Sequence, residues 1–408
     1  MAERRVYVSG IGAVTAYGLG ATTLRDGLFA GRSAIAKIRS FDASRFPCRI
    51  GGEVAPIPLT EHFEERELPW LSTLAAHSVI AGRMALEDAG LDGGVAPGRA
   101  GIILGTGFGS LAESGPHYVK WAEIGDAASR PTTIPTLMLN APAAQVARHL
   151  SLTGVCHTVS TACSSGSDAI GQAFREIRDG RHDVMLAGGG EDALTELMLL
   201  SWSRLRVLSR RNDEPERASR PFDTGRDGLV PADAVVFFVL ESDSHLRARG
   251  GKPLAEISGY AANCGADHLT APDRASEIAA MRAALADAGL AADAVDLVIA
   301  HGTATRLNDV VEAEALREVF GDRDDLAIAA PKSMMGHAMG ASGPIGVALA
   351  AFSLASATVP PTVNLETPDP ACPVSGFVPQ ATRRELRHAM VNAFAFGGHN
   401  AVLVMSRA

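Results

Sequence analysis

The feature that most restricts this chain is a recurring strand that is apolar on both faces. Residues 5–14, 100–104 (AGIIL), 184–187 and 235–240 are runs rich in aliphatic residues, not apolar–polar alternations. Strands of that kind need cover on both sides, which a sheet between two layers of helices supplies. Helix-prone stretches at 22–30, 71–89 and 164–179 stand between them. Beyond a strand at 255–262 the rhythm starts again. It gives a helix at 274–288, a strand at 295–300, a helix at 310–319 and a strand at 327–330. A small-residue helix at 340–355 and closing strands at 390–394 and 401–405 follow. The class is α/β, and the halves 1–250 and 251–408 read as a duplication. Residues 111–145, with their prolines, read as an inserted loop-and-helix region, and 204–230 as an irregular polar stretch.

A chain of 408 residues, 47% of them hydrophobic, buries a large core without covalent staples. Its five cysteines (Cys48, Cys156, Cys163, Cys264, Cys372) are scattered and form no CxxC, which argues against a disulfide framework or a structural zinc site. The start of the chain does not read as a signal peptide, and no unbroken apolar run reaches the length of a spanning helix. The expectation is a soluble, cytoplasmic protein without a membrane partner. A formal net charge of −9 argues against nucleic acid as a general partner.

The sharpest local motif is VSTACSSGSDAIGQAF, residues 159–174. Cys163 stands between a β-prone and a helix-prone stretch. At a helix start a thiolate is stabilised by unpaired N–H groups and the positive dipole end. On this motif alone two readings stand, a primed nucleophile and a buried structural cysteine. His301, in HGTATRLND, follows an apolar strand, where open α/β sheets form their sites. His337 lies in the glycine-rich KSMMGHAMGASG. Each lone histidine has an ordinary structural reading; two of them beside a primed cysteine shift the balance. NAFAFGGHN, residues 392–400, turns at Phe396-Gly397-Gly398, whose N–H groups are suited to face a ligand.

TACSSG, HGTxTxxND, KSMxGHxxGAxG and NxFxFGG, in that order, resemble the β-ketoacyl-(acyl carrier protein) synthases. RPFDTGRDGLV at 220–230 fits the same family, and the likeness runs through nearly the whole chain. Within the family the chain looks most like type II elongating synthases and the ketosynthase alpha subunits of type II polyketide and polyene systems.

The resemblance implies a thiolase-like fold with duplicated halves in a five-layered αβαβα core. The half 1–250 carries the nucleophile and 251–408 carries two catalytic histidines. Cys163 matches the acyl-accepting nucleophile, His301 and His337 the histidine pair, and Lys332 the lysine five positions before the second histidine. Phe396 matches the aromatic gate, whose N–H would join that of Cys163 in an oxyanion hole. Thr303 and Thr305 match the threonines on the phosphopantetheine arm. His268, with Gly397 and Gly398, matches residues of the pocket mouth and gate. Asp309 and Glu312 match a supporting acidic pair. The activity implied is decarboxylative condensation of an acyl chain with malonyl-acyl carrier protein, without metal or other cofactor beyond the carrier's phosphopantetheine. Arg204, Arg206, Arg210 and Arg211 are the candidates for docking the acidic carrier, against a plain reading as a solvated charge run. The subunit partner is a second copy or a chain-length-factor-like sister.

The sequence departs from the family pattern at three places. Gly346 stands where an acidic residue is usual after GHxxGAxG, removing an expected partner of Lys332. Residues 231–236 (PADAVV) replace a glycine-rich segment, with Asp233 for the usual Glu. Ala395 and His399 replace the commoner Gly and Thr of the gate. A polyketide or polyene condensing enzyme is the leading reading. The alternatives are a fatty-acid elongation synthase, a non-catalytic chain-length-factor-like subunit and a thiolase. The last would need a second reactive cysteine in 392–400, and none is there.

Overall fold

The computed structural model describes residues 4–96, 98–192 and 194–408. The first half supplies β1 (Val6–Thr15), β2 (Ala100–Gly105), β3 (Cys156–Val159), β4 (Val184–Glu191) and β5 (Ala234–Ser242). The second supplies β6 (Ala255–Cys264), β7 (Leu297–Ile299), β8 (Ala327–Ala329), β9 (His388–Phe394) and β10 (His399–Ser406). In space the strands run β3-β2-β4-β5-β1, then β6-β10-β9-β7-β8. Counted from the chain start of each half, the two orders are the same. So are the directions: β2 is parallel to β3 and β4, and β5 antiparallel to β4 and β1. The second half repeats this with β7 between β8 and β9, and β10 between β9 and β6. The sheets join edge to edge where β1 and β6 pair antiparallel, Val6–Val8 against Ala255–Ile257.

The main helices are α1 (Thr73–Asp88), α2 (Ala141–His149), α3 (Ser165–Arg178), α4 (Glu196–Leu205), α5 (Arg274–Asp287), α6 (Asn308–Phe320) and α7 (Ser342–Ser356). α1 and α2 cover the outer face of the first sheet, and α5 and α6 that of the second. α3 and α7, one from each half, touch each other between the sheets. The result is helix–sheet–helix–sheet–helix, five layers, as the resemblance implied. Three apolar clusters fill the four interfaces; the largest holds residues of α3, α7 and both sheets.

Composition places each element in its layer. β5 reads AVVFFVLES and is buried at every position, as an interior strand with helices on both faces must be. α7 is apolar all round, and every residue from Ser342 to Leu354 is buried, which suits only the central layer. The stretch Met339–Ser356 is long and apolar enough to cross a membrane, yet 83% of it lies buried inside the fold. Helix starts carry side-chain caps: Ser72 accepts from Ala75 N–H, and Asp273 from Ala275 and Ser276 N–H.

Three boundaries differ from the sequence reading. The strand at 184 continues through its glycines to Glu191, because the glycines are contact points in the sheet and not a turn. The irregular stretch after residue 204 is preceded by α4, whose apolar residues Met198, Leu199 and Trp202 are buried. The segment 111–145 forms a helix, Leu111–Ile124, that contains Pro116.

Gly189 sits where β2, β4, α3 and the loop after His337 converge. A Cβ there would lie 2.4 Å from Gly340 O, 2.9 Å from Gly166 Cα and 3.0 Å from Gly105 O. All three neighbours are backbone, so nothing yields cheaply. Gly189→Ala is expected to lower unfolding stability by about 3 kcal/mol. Urea denaturation followed by circular dichroism measures it, and an unchanged midpoint would refute the crowding.

Candidate active site

Cys163 lies on the turn Ala162–Ser164, between β3 and α3. Ala162 there has φ 52°, a left-handed conformation that a Cβ disfavours and that surrounding bonds must hold. They do so. Thr161 N–H donates to Ser165 Oγ (2.9 Å), and Ser165 Oγ–H to Ala162 O (2.6 Å). Ser164 Oγ and Tyr260 OH both donate to Asp168, at 3.2 and 2.6 Å. The turn is thereby braced against β6 of the other half.

The backbone N–H groups of Phe396 and Cys163 favour the ionised form of the Cys163 sulfur. The helix start does not by itself give a low thiol pKa. Burial pushes the Cys163 thiol up to about 12, against the opposing pull of the Lys332 charge and those two N–H groups. The resting group is a thiol, and Lys332 is the largest influence favouring its thiolate.

His301 sits just beyond β7, with its ring against that of His337 at a centroid distance of 5.5 Å and an interplanar angle of 86°. Its backbone is clamped: His301 N–H and Gly302 N–H donate to the two carboxylate oxygens of Glu312, each at 2.7 Å. Lys332 Nζ stands 3.3 Å from His301 Nδ1 and also donates to His301 O. His337 Nδ1 accepts from Met339 N–H (3.2 Å) and faces Ser342 Oγ at 2.8 Å. A donor at each Nδ1 puts the ring proton on Nε2. Burial first, then the Lys332 charge, holds both histidines well below their ordinary pKa, so both rings are neutral.

Lys332 is 5% exposed, and burial brings its pKa down to about 8 against the pull of Glu312. Position 346, where the family carries an acid, is here enclosed by apolar side chains. A Cβ on Gly346 would meet Val391 Cγ1 at 2.9 Å and Ile299 Cγ2 at 3.3 Å.

Cys163, both histidines and Phe396 open into one cavity of about 740 Å³. One wall, with Cys48, Trp202, Leu208, Leu229 and Met339, belongs to an apolar cluster against which Cys163 packs. Met339 links Cys163 to His337, with Sδ 3.9 Å from Cys163 Sγ and N–H donating to His337 Nδ1. The second half adds Thr270, Asp273, Glu277, Thr303, Thr305 and Asn400. Thr303 and Thr305 hydroxyls are 2.9 Å apart. The RPFDTGRDGLV motif braces that loop from behind: Arg226 donates to Thr305 O (3.0 Å), Arg306 O (3.2 Å) and Asp369 (2.6 Å). Asp309 accepts from Phe222 N–H at 2.8 Å, so the acidic pair serves the backbone.

Three sequence candidates sit differently. His268 does not line the cavity; its Nδ1 accepts from Thr270 and Ala271 N–H (3.0 Å each) and shapes the mouth loop. Gly398 lines the cavity, but Gly397 does not, and Gly397 N–H donates to Leu269 O (2.7 Å), so it is not free for a ligand. Arg211 turns inward onto Gly225 O (2.8 Å), whereas Arg206 and Arg210 edge the cavity and, with Arg204 and Arg45, a shallow hollow beside it.

Sequence reasoning missed Glu191. Its carboxylate accepts from Thr106 Oγ (2.9 Å) and from the N–H groups of Gly107 (2.8 Å), Phe108 (3.0 Å) and Gly340 (3.1 Å), tying the loop at 106–108 to the His337 loop. An acid closing the glycine run at 188–190 was its only signal. Among the described residues no group of three or more His, Cys, Asp or Glu is arranged to hold a metal ion.

The sequence matches two family profiles, "Beta-ketoacyl synthase, N-terminal domain" over residues 3–245 and "Beta-ketoacyl synthase, C-terminal domain" over 254–366. It is 37% identical to 3-oxoacyl-[acyl-carrier-protein] synthase 2 of Synechocystis sp., covering 99% of this chain and 98% of that one. Among solved structures it is similar to the ishigamide ketosynthase/chain length factor, with TM-score 0.93, 32% identity and full coverage of both chains. It is also similar to a ketosynthase bound to the hexaketide in complex with its type II polyketide acyl-carrier protein, with TM-score 0.89, 28% identity and full coverage of both chains.

Removing the Lys332 charge takes away the main influence that lowers the Cys163 pKa. Lys332→Met is therefore expected to raise the thiol pKa and to slow iodoacetamide alkylation of Cys163 at pH 8 by about three- to ten-fold, one pKa unit being tenfold in thiolate. Mass-resolved alkylation rates across pH 7–10 measure this. A rate equal to or above the parent's would contradict the electrostatic role.

Proposed function

This chain belongs to the β-ketoacyl synthase family, and on that premise we propose how its own residues carry out decarboxylative condensation on acyl carrier protein substrates. The observation that carries the proposal is the opening of a sulfur, two neutral imidazoles and two backbone N–H groups into one cavity. In the first half-reaction Cys163 sulfur attacks the carbonyl of an acyl thioester on the carrier. The oxyanion is held by the N–H groups of Cys163 and Phe396, each such donor contributing about 3 kcal/mol. The carrier thiol leaves with the proton that Cys163 gives up, and the acyl chain lies along the apolar wall toward Trp202.

In the second half-reaction a malonyl carrier enters past Phe396, its arm along Thr303 and Thr305. The thioester carbonyl sits between the Nε2–H groups of His301 and His337. The bond from the methylene carbon to the carboxylate breaks, carbon dioxide leaves, and the electron pair is held as an enolate by the two donors. That carbon then attacks the acyl carbon on Cys163. A carbon–carbon bond forms, the carbon–sulfur bond breaks, and the sulfur regains a proton. Neutral rings suit this step: they donate without ceding a proton to the enolate.

Trp202, edge-on to Phe108 at 5.9 Å between centroids, stands beside the acyl wall. Similarity to ketosynthases of type II polyketide assembly supports that pathway, and similarity to 3-oxoacyl-[acyl-carrier-protein] synthase 2 supports fatty-acid elongation, which uses the same chemistry. The carrier docks on the basic hollow of Arg45, Arg204, Arg206 and Arg210, where Leu197 and Leu200 are also exposed. For a subunit partner, homologous or chain-length-factor-like, the supporting feature is an exposed apolar band. Tyr118, Val119, Trp121 and Ile124 lie on one helix, with Ile134 and Met138 beyond. It suits contact with a second subunit, as does β3, which ends the sheet path.

Incubation with an acyl carrier followed by peptide mass spectrometry tests the nucleophile. The acyl mass is expected on Cys163 and on no other cysteine, and Cys163→Ala is expected to abolish condensation; an adduct elsewhere overturns the assignment. The docking surface is tested by Arg206→Glu/Arg210→Glu. Reaction with acyl carrier is expected to fall at least ten-fold in kcat/KM, with reaction of small acyl thioesters changed less than two-fold. Equal losses on both substrates would reject it.

A further inference from the structure

Glu277 is a buried acid that the scheme above does not use. It lies in the first turn of α5, is 1% exposed, and lines the catalytic cavity along with Phe394 and Asn400. Among the described residues nothing hydrogen-bonds either of its carboxyl oxygens. Buried polar groups are almost always paired, so an unpaired one beside an open cavity is a place for a ligand. The charged groups acting on it are both acidic, Glu312 on α6 and Asp273 at the helix cap. Burial and those neighbours keep it well above the usual carboxylate range, so it carries a proton and is a donor. One turn along the same helix, Met281 Sδ lies 3.6 Å from Asn392 Nδ2, and Asn392 Oδ1 is also buried without a partner. The second half of the cavity, on which the extender would enter, therefore contains a hydrogen-bond donor with no acceptor among the described residues.

We propose that the Glu277 carboxyl group is a specificity-determining hydrogen-bond donor for an oxygen of the extender substrate, either the malonyl carboxylate or an amide carbonyl of the arm that bears it. This rests on the condensing reading above. The position of the residue favours it: Glu277 shares its wall with Thr270, Asp273, Thr303 and Thr305, away from the apolar wall where Cys163 packs. An O–H donated to a carboxylate is among the stronger hydrogen bonds a site offers. An alkyl-only thioester gains nothing from it.

The test uses the full chain with Glu277→Met, which fills the space without a donor, and Glu277→Gln, which keeps one. Glu277→Met is expected to raise KM for the malonyl carrier about ten-fold, with kcat at saturation changed less than two-fold. It is also expected to raise the melting temperature, because it removes an unpaired buried polar group. Glu277→Gln is expected to recover most of the KM. Acylation of Cys163 by an acyl carrier separates the sources: an equal KM rise there assigns the contact to the arm, and an unchanged one assigns it to the malonyl group. An unchanged malonyl KM in Glu277→Met, or a fall in melting temperature with loss of kcat alone, overturns the proposal. Failure of the parent protein itself to acylate and condense would instead overturn the reading on which it rests.

Discussion

One buried ammonium group sets the charge state of the whole site. Lys332 is held among His301, its carbonyl and the field of Glu312, in surroundings that strip it of water. From there it disfavours protonation of both imidazoles and favours ionisation of the Cys163 thiol. These are the two conditions that the proposed half-reactions need, and one charge acts on all three groups. The acid that the family resemblance implies after the glycine-rich loop would compete for that charge. Here Gly346 against Ile299 and Val391 leaves the space apolar, so Glu312 acts on the lysine only through space. Glu312 is in turn occupied by the His301 and Gly302 N–H groups, which fixes the histidine backbone.

Precision of this kind needs backbones that cross closely. The site is assembled from turns at residues 162, 301, 337 and 396, which lie on different strands of two sheets. Gly105, Gly166 and Gly189 pack against neighbouring backbone in the interior below it, the last two against Gly340 O, at separations that exclude any side chain. Glu191 at the end of β4 holds two of the loops by four hydrogen bonds. Asp168 and Tyr260 tie the nucleophile turn of one half to a strand of the other. The catalytic geometry is thus a property of the interface between the halves, not of either.

Much of this was legible in the residues. Runs such as AVVFFVLES can only be interior strands, and the restart of the pattern after residue 255 is the repeated strand order. The cysteine and histidine motifs are local, so they survive reading one at a time, and they do converge. What was not legible depends on distance in space. The helix-start argument for Cys163 counted N–H groups and left out desolvation, which is the dominant influence on the sulfur in the folded protein. The strand at 184 reads as ending at 187 because what holds Gly188 and Gly189 in the sheet, their contacts with Val236 and Gly340, lies far along the chain. Gly397 looked free because its acceptor, Leu269, belongs to another loop. Glu277 has no signal in sequence, since it is the lack of a neighbour that distinguishes it.

The central layer has a consequence for how such a chain comes into being. α3 leaves the ribosome more than 160 residues before its companion α7. Throughout that interval the nascent first half has α3 laid on the inner face of its sheet, with the side of α3 that meets α7 still uncovered. A chain cut after residue 250 would stay in that condition. The molecule therefore cannot mature as two consecutive, self-sufficient parts. Its apolar flank stays open to wrong partners until the last third arrives to close the sandwich.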